Sequence, residues 1–175
     1  MADHVDEIQR EWRRERPDID PTPQAVIGRL HRLGGLLMAE LERVYAEHGF
    51  SQGEFDVLMT LRRAGEPYER TPGDLAARTM VTSGAVSKRV DRLERAGLVA
   101  RRRSEEDGRG RVVALTPAGL AAADAAFTDH MTNEHRLVAD LDPQDRADLA
   151  RILSTWLVRV DPDGVAPGAT PSDDA

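Results

Sequence analysis

Between Thr71 and Leu115 the chain places two helix starts close together and then two short strand-like runs, an order that few folds satisfy. Thr71-Pro72-Gly73-Asp74 supplies an N-cap, a proline at the first helical position and an acid three residues after the cap. The helix it opens is short, carrying Leu75, Ala76 and Ala77. A second helix starts near Thr82 or Ser83 and runs through Val86, Val90 and Leu93 to Gly97. Leu98 to Arg103 and Arg111 to Leu115 then read as a β-hairpin across the polar turn Ser104 to Gly110. Two short helices followed by a hairpin is the plan of a winged helix-turn-helix.

The flanks are helical. Val5, Ile8 and Trp12 fall at helical spacing before Pro17, and the proline-rich run Pro17 to Pro23 is a connector that cannot be helical throughout. From Gln24 to about His48, the residues Val26, Ile27, Leu30, Leu33, Leu37, Leu41 and Val44 form a 3-4 repeat. Ser51 caps a further helix with Glu54 at the capping-box position. Thr116-Pro117 opens an alanine-rich helix to about Leu141. Asp142-Pro143 caps a last one whose Leu149, Ile152, Leu153, Trp156, Leu157 and Val160 trace one stripe. The tail from Asp161 has the composition of a disordered segment. The expected fold class is mainly α with a small β-hairpin wing.

In a helix-turn-helix the second helix lies in the major groove and presents its N-terminal residues to base edges. With Val86 as origin, Val90 and Leu93 sit within about 40° of it, and Gly84, Ser87, Lys88, Asp91 and Arg92 project the other way. The candidate DNA face is therefore Ser83, Gly84, Ser87, Lys88 and Arg92: small residues for close approach, hydroxyls and cations for bases and phosphates. In the turn of the hairpin, Glu105-Glu106-Asp107-Gly108-Arg109-Gly110-Arg111 sets glycines around a tip arginine. Arg109 at such a tip can enter the minor groove, with Asp107 holding its guanidinium and Arg111 beside it.

The net charge of −7 conceals a local excess of the opposite sign. From Arg78 to Arg111 there are ten basic and five acidic residues, so this stretch is positive while the rest of the chain is strongly negative. Lys88 is the one lysine among 24 basic residues, so arginine as such carries no signal here. Cysteine is absent, which excludes disulfides and thiolate chemistry from this chain. The five histidines lack ligand spacing, so no metal is expected, and no cofactor either. No run approaches the roughly 18 apolar residues of a membrane span, and no signal peptide opens the chain, which is read as cytoplasmic. Nucleophile elbow, phosphate loop and metalloprotease signatures are missing, which argues against an enzyme. A winged helix used only for protein contact would have no need of Lys88 and the basic tip Arg109.

From about Val26 to Trp156 the chain resembles the MarR family of bacterial regulators. The resemblance is carried by the stretch Ser83 to Val99, by Asp107-x-Arg109, and by Leu115-Thr116-x-x-Gly119. It implies a homodimer in which N- and C-terminal helices of two chains intertwine. The stripe ending at Val160 gives an independent reason, because it is far from the helix-turn-helix and needs a partner surface. Residues 24–50 and 117–160 then form the dimerisation region, 51–116 the DNA-binding lobe, 1–23 an extra helix and linker, and 161–175 the tail. Two-fold symmetry sets two recognition helices about one DNA turn apart on a palindromic operator of double-stranded DNA. Repression relieved by a ligand is the expected mode.

Trp12-Arg13-Arg14-Glu15-Arg16-Pro17-Asp18 and Gly53-Glu54-Phe55-Asp56-Val57-Leu58 are similar to the urate-responsive branch of that family. The resemblance implies a site for a small anionic effector, urate or a related purine, at Trp12, Asp56, Arg89 and Arg101. An indole stacks on a planar purine, guanidinium pairs with an anionic oxygen, and a carboxylate accepts a ring N–H. Arg89 lies about 60° from Val86, beside the core stripe, so an effector pulling on it moves the recognition helix from behind. Two readings of Arg89 stand at this stage, a ligand contact or a salt bridge under the helix with Asp56. Trp12 equally suits a staple for the extra helix, and the four residue types also suit a non-purine carboxylate or aromatic acid.

Overall fold

A computed structural model of the chain describes residues 2–79, 83–103 and 110–162, the side chains of 83–85 excepted. Among the described residues there are seven helices and three strands: α1 His4–Glu15, α2 Gln24–Glu47, α3 Gln52–Arg62, β1 Glu69–Arg70, α4 Pro72–Arg78, α5 Ser83–Arg95, β2 Val99–Arg103, β3 Arg111–Leu115, α6 Pro117–Leu137 and α7 Pro143–Val160. The chain divides into two compact units, Met1–Asn133 and Glu134–Ala175.

Local capping explains most helix starts. Ser51 and Glu54 form the reciprocal capping box read from the sequence, Thr71 accepts from the Asp74 amide, and Asp142 from that of Asp145. A second capping box, Asp3 with Asp6, opens α1 and was not anticipated. Arg29 of α2 then reaches back to both acids, at 2.8 Å and 2.7 Å, while Val5 packs on Gly28. On α1 the buried residues are Val5 and Gln9, and Trp12 stands half exposed.

In the first unit α3, α4, α5 and the sheet enclose one core. Val57, Leu58 and Leu61 of α3 meet Leu75, Val86, Val90, Leu93, Val99 and Val113, with Ala123 of α6 closing it. Burying a Leu or Val of this kind contributes about 1.5–3 kcal/mol, so this cluster holds the lobe together. A smaller cluster joins Tyr45, Phe55 and Ala126, with the Tyr45 and Phe55 rings stacked at 4.3 Å. The wing is a three-stranded antiparallel sheet ordered β1-β3-β2, pairing Val99 with Leu115 and Arg103 with Arg111. The hairpin was legible, whereas β1 has two residues and no periodicity to read; it joins by pairing Glu69 with Ala114.

The apolar repeat of α2 is buried at Val44 and half-buried at Leu41, while Ile27, Leu33, Leu36 and Leu37 are exposed. In the second unit α7 keeps no residue buried, and Ile152, Leu157 and Val160 of its stripe stand open. Among the described residues no helix is long and apolar enough to cross a membrane, and no group of three acids or histidines is placed to hold a metal ion.

Candidate nucleic-acid interface and effector site

The geometry of α5 follows from its stripe. Val86, Val90 and Leu93 are buried, which turns Ser87, Lys88, Asp91 and Arg92 outward. Ser83 and Gly84 begin the helix, but their side chains, like Asp107 and Arg109, lie outside the described residues. Arg111 opens β3 and is exposed. It borders, together with Ser87, Arg101 and Pro72, a groove of about 420 Å³ between α4, α5 and the wing. The structure thus brings Ser87, Arg101 and Arg111 to one place.

Arg101 is not idle there. From β2 its guanidinium pairs with Asp91 and Glu94 of α5, and its backbone N–H donates to Glu94 Oε1 at 3.0 Å. The hydrogen bond to Asp91, with Glu94 adding to it against partial burial, raises the Arg101 pKa above its ordinary value. The wing is therefore stapled to α5 by charge.

Behind the helix, Arg89 lies on α3. A Cβ built on Gly53 would stand 1.9 Å from Arg89 Nε and 2.2 Å from Cζ, so the guanidinium rests on the glycine's bare backbone. Asp56 lies one helical turn further along α3 and is half-buried. Arg92, one turn after Arg89, sets its Nε 2.7 Å from Oε1 of the buried Glu54. The residue pattern leads one to expect Glu54 as a cap and Arg92 as a DNA contact, but not the ion pair between them. Its signal was available, because Arg89 and Arg92 are three apart and flank the same side of the core stripe.

Trp12 borders a separate, smaller groove of about 260 Å³ with Arg16, Ile19, Asp20 and Pro21. Of the four effector candidates, Arg89 takes part in the α3–α5 contact, and Asp56 lies on α3 one turn from the glycine on which Arg89 rests. Arg101 is engaged on the wing side and Trp12 faces its own groove.

The profile of the MarR family matches residues 48–110, which take in α3 to β2 of this lobe and stop just before β3. The HTH-type transcriptional regulator PecS of Dickeya dadantii is 35% identical over 149 residues, spanning 85% of this chain and 90% of PecS. The chain belongs to the MarR family.

The MarR fold is borne out by solved structures. AbsC, a MarR family transcriptional regulator from Streptomyces coelicolor, superposes with a TM-score of 0.72 at 26% identity, covering 82% of this chain and 97% of AbsC. A mutant MarR from E. coli complexed with operator DNA gives 0.62 at 27% identity, covering 77% and 96%. Members of the MarR family are transcription regulators rather than enzymes. The chain is accordingly a DNA-binding transcription regulator of the MarR type, and its lobe from α3 to β3 is the winged helix.

Proposed function

We propose that this regulator acts as a homodimer on a palindromic operator, represses from it, and releases it when a small anionic effector, urate or a related purine, binds behind the recognition helix. The observation that carries the reading is Arg89. Its guanidinium leaves α5 on the side away from Ser87 and Lys88 and lies on Gly53 of α3, one turn from Asp56. An anion drawn to Arg89 therefore acts on α5 without touching DNA. Its differential affinity for two placements of that helix lowers DNA affinity by linkage. Trp12 and Arg101 complete the proposed set in the dimer. For Arg101 the ion pairs to Asp91 and Glu94 favour a second role, holding the wing against α5 so that both move together.

DNA contact is assigned to Ser83, Gly84, Ser87, Lys88 and Arg92 on the helix and to Arg109 and Arg111 on the wing, with Asp107 supporting Arg109. The exposed apolar stripes of α2 and α7 are what a second copy covers, because single chains rarely leave such stripes to water. Ile152→Glu should then convert a dimer into monomers in size-exclusion chromatography with light scattering. A monomeric wild type would refute the dimer.

The deciding experiment is a gel shift with DNA upstream of the gene, titrated with urate, xanthine, citrate and an aromatic carboxylate. Release of wild type but not of Arg89→Ala by a purine supports the proposal. Release by citrate or the aromatic acid alone moves the effector class, and release of both proteins alike removes Arg89 from the route.

A further inference from the structure

The first turn of α3 receives two arginines from α5, and the effector reading uses one of them. The other, Arg92, forms an ion pair with Glu54, its Nε 2.7 Å from Oε1 of a carboxylate whose side chain is 4% exposed. The second oxygen of Glu54 accepts from the Ser51 backbone N–H at 2.8 Å and from Ser51 Oγ at 2.7 Å. The carboxylate is thus fixed by its own helix cap, and Arg92 meets an acceptor that cannot follow it.

Arg92 remains 59% exposed and stands one turn from Lys88 on the outward side of α5. An arginine whose whole task was to neutralise a buried carboxylate would be drawn in beside it, since a buried charge is compensated best at close quarters. A guanidinium is a rigid planar fork of five donors, so holding Nε sets the direction of the terminal nitrogens.

We propose that Glu54 is a positioning residue for operator binding: it holds Arg92 by Nε so that the terminal nitrogens of that guanidinium meet a DNA phosphate. The inference rests on the reading of α5 as the DNA-facing helix. A phosphate contact carries no sequence information, so the pair contributes affinity and salt dependence and leaves base preference unchanged.

The test uses the full-length chain and a fluorescent duplex selected by the wild type from a random-sequence pool, with affinities measured by anisotropy across a salt series. Glu54→Gln keeps the side-chain shape and an acceptor for the cap; Arg92→Ala removes the fork. Each should weaken binding about tenfold and flatten the slope of log K against log salt by about 0.9 for each phosphate that is no longer neutralised. The double variant should be no weaker than Arg92→Ala, and Arg92→Lys should not restore the slope, because an ammonium has no second edge to share. A Glu54→Gln protein with an unchanged slope, tighter binding, or an effect that adds to that of Arg92→Ala overturns the proposal, whatever its melting temperature. Lys88→Ala separates the two failures. If Lys88→Ala also leaves the slope unchanged, α5 is not the DNA face; if it flattens the slope while Glu54→Gln does not, the positioning role alone is wrong.

Discussion

Substituting Gly119 by alanine sets two physical effects against each other. Gly119 lies in the first turn of α6 and is buried. By helix propensity alone, alanine there should stabilise by about 1 kcal/mol. The structure predicts the opposite sign. A Cβ at this position would stand 1.8 Å from the Leu98 carbonyl oxygen, 2.7 Å from its carbon and 3.1 Å from its Cα. An ordinary carbon–oxygen approach is about 3.3 Å, so α6 and the turn after α5 must separate by roughly 1.5 Å. The obstacle is backbone, so no side chain can step aside.

The same carbonyl is also held. It accepts from the Thr116 N–H at 3.0 Å and from Thr116 Oγ1 at 3.2 Å, while Gly119 N–H donates to that hydroxyl at 3.0 Å. Overpacking costs about 1–3 kcal/mol, and a backbone clash with weakened bonds belongs at the upper end. After subtracting the helix gain, a net loss of about 2 kcal/mol remains, or about 4–8 °C in Tm for a chain of this size. Scanning calorimetry at one fixed protein concentration reads this directly, with Ala118→Gly as the control. Ala118 is an exposed neighbour on the same helix, so that change should cost about 1 kcal/mol through propensity. A Gly119→Ala protein as stable as wild type, or more so, would refute the close approach of α6 to Leu98.

Gly53→Ala should behave differently, because the group it meets is the end of the Arg89 side chain. The arginine swings away, so Tm should change by no more than about 4 °C, the size of a one-kcal effect, while effector-driven release in the gel shift is lost. Unchanged release would show that the Arg89–Gly53 contact does not transmit the signal. The α1 clamp should respond to acid alone. The Arg29 guanidinium holds the Asp3 carboxyl below its ordinary value of 3.8, and the Asp3 backbone N–H, then Arg29, does the same for Asp6. Groups with depressed folded pKa values stabilise fully above the ordinary value and lose that contribution as pH falls through the folded one. Trp12 fluorescence in a Trp156→Phe background should therefore stay constant from neutral pH down to the carboxylate range and change below it. A transition near pH 6 would implicate histidine instead.

Much of this regulator is legible in its residues. Caps at Ser51, Thr71 and Asp142, the stripe Val86-Val90-Leu93 and the hairpin around a charged turn are local codes. Each is satisfied within a few residues of chain, so helix starts and the outward face of α5 can be read without coordinates. The family profile matches residues 48–110, which hold several of these codes, while membership itself rests on the likeness to PecS over most of the chain.

Tertiary packing decided what local codes cannot express. β1 exists because β3 offers Glu69 and Arg70 an edge to pair with. The pairing of Arg92 with Glu54, the seat of Arg89 on Gly53 and the staple from Arg101 to Asp91 and Glu94 join residues from 7 to 38 positions apart. A long charged side chain has several partners within reach of its sequence neighbourhood, and which one it takes depends on how two helices are set against each other. That setting is fixed by the buried core and by glycines whose missing Cβ lets a neighbour approach. Sequence therefore determined which surfaces this protein has, and packing determined which of its arginines remain available to act on them.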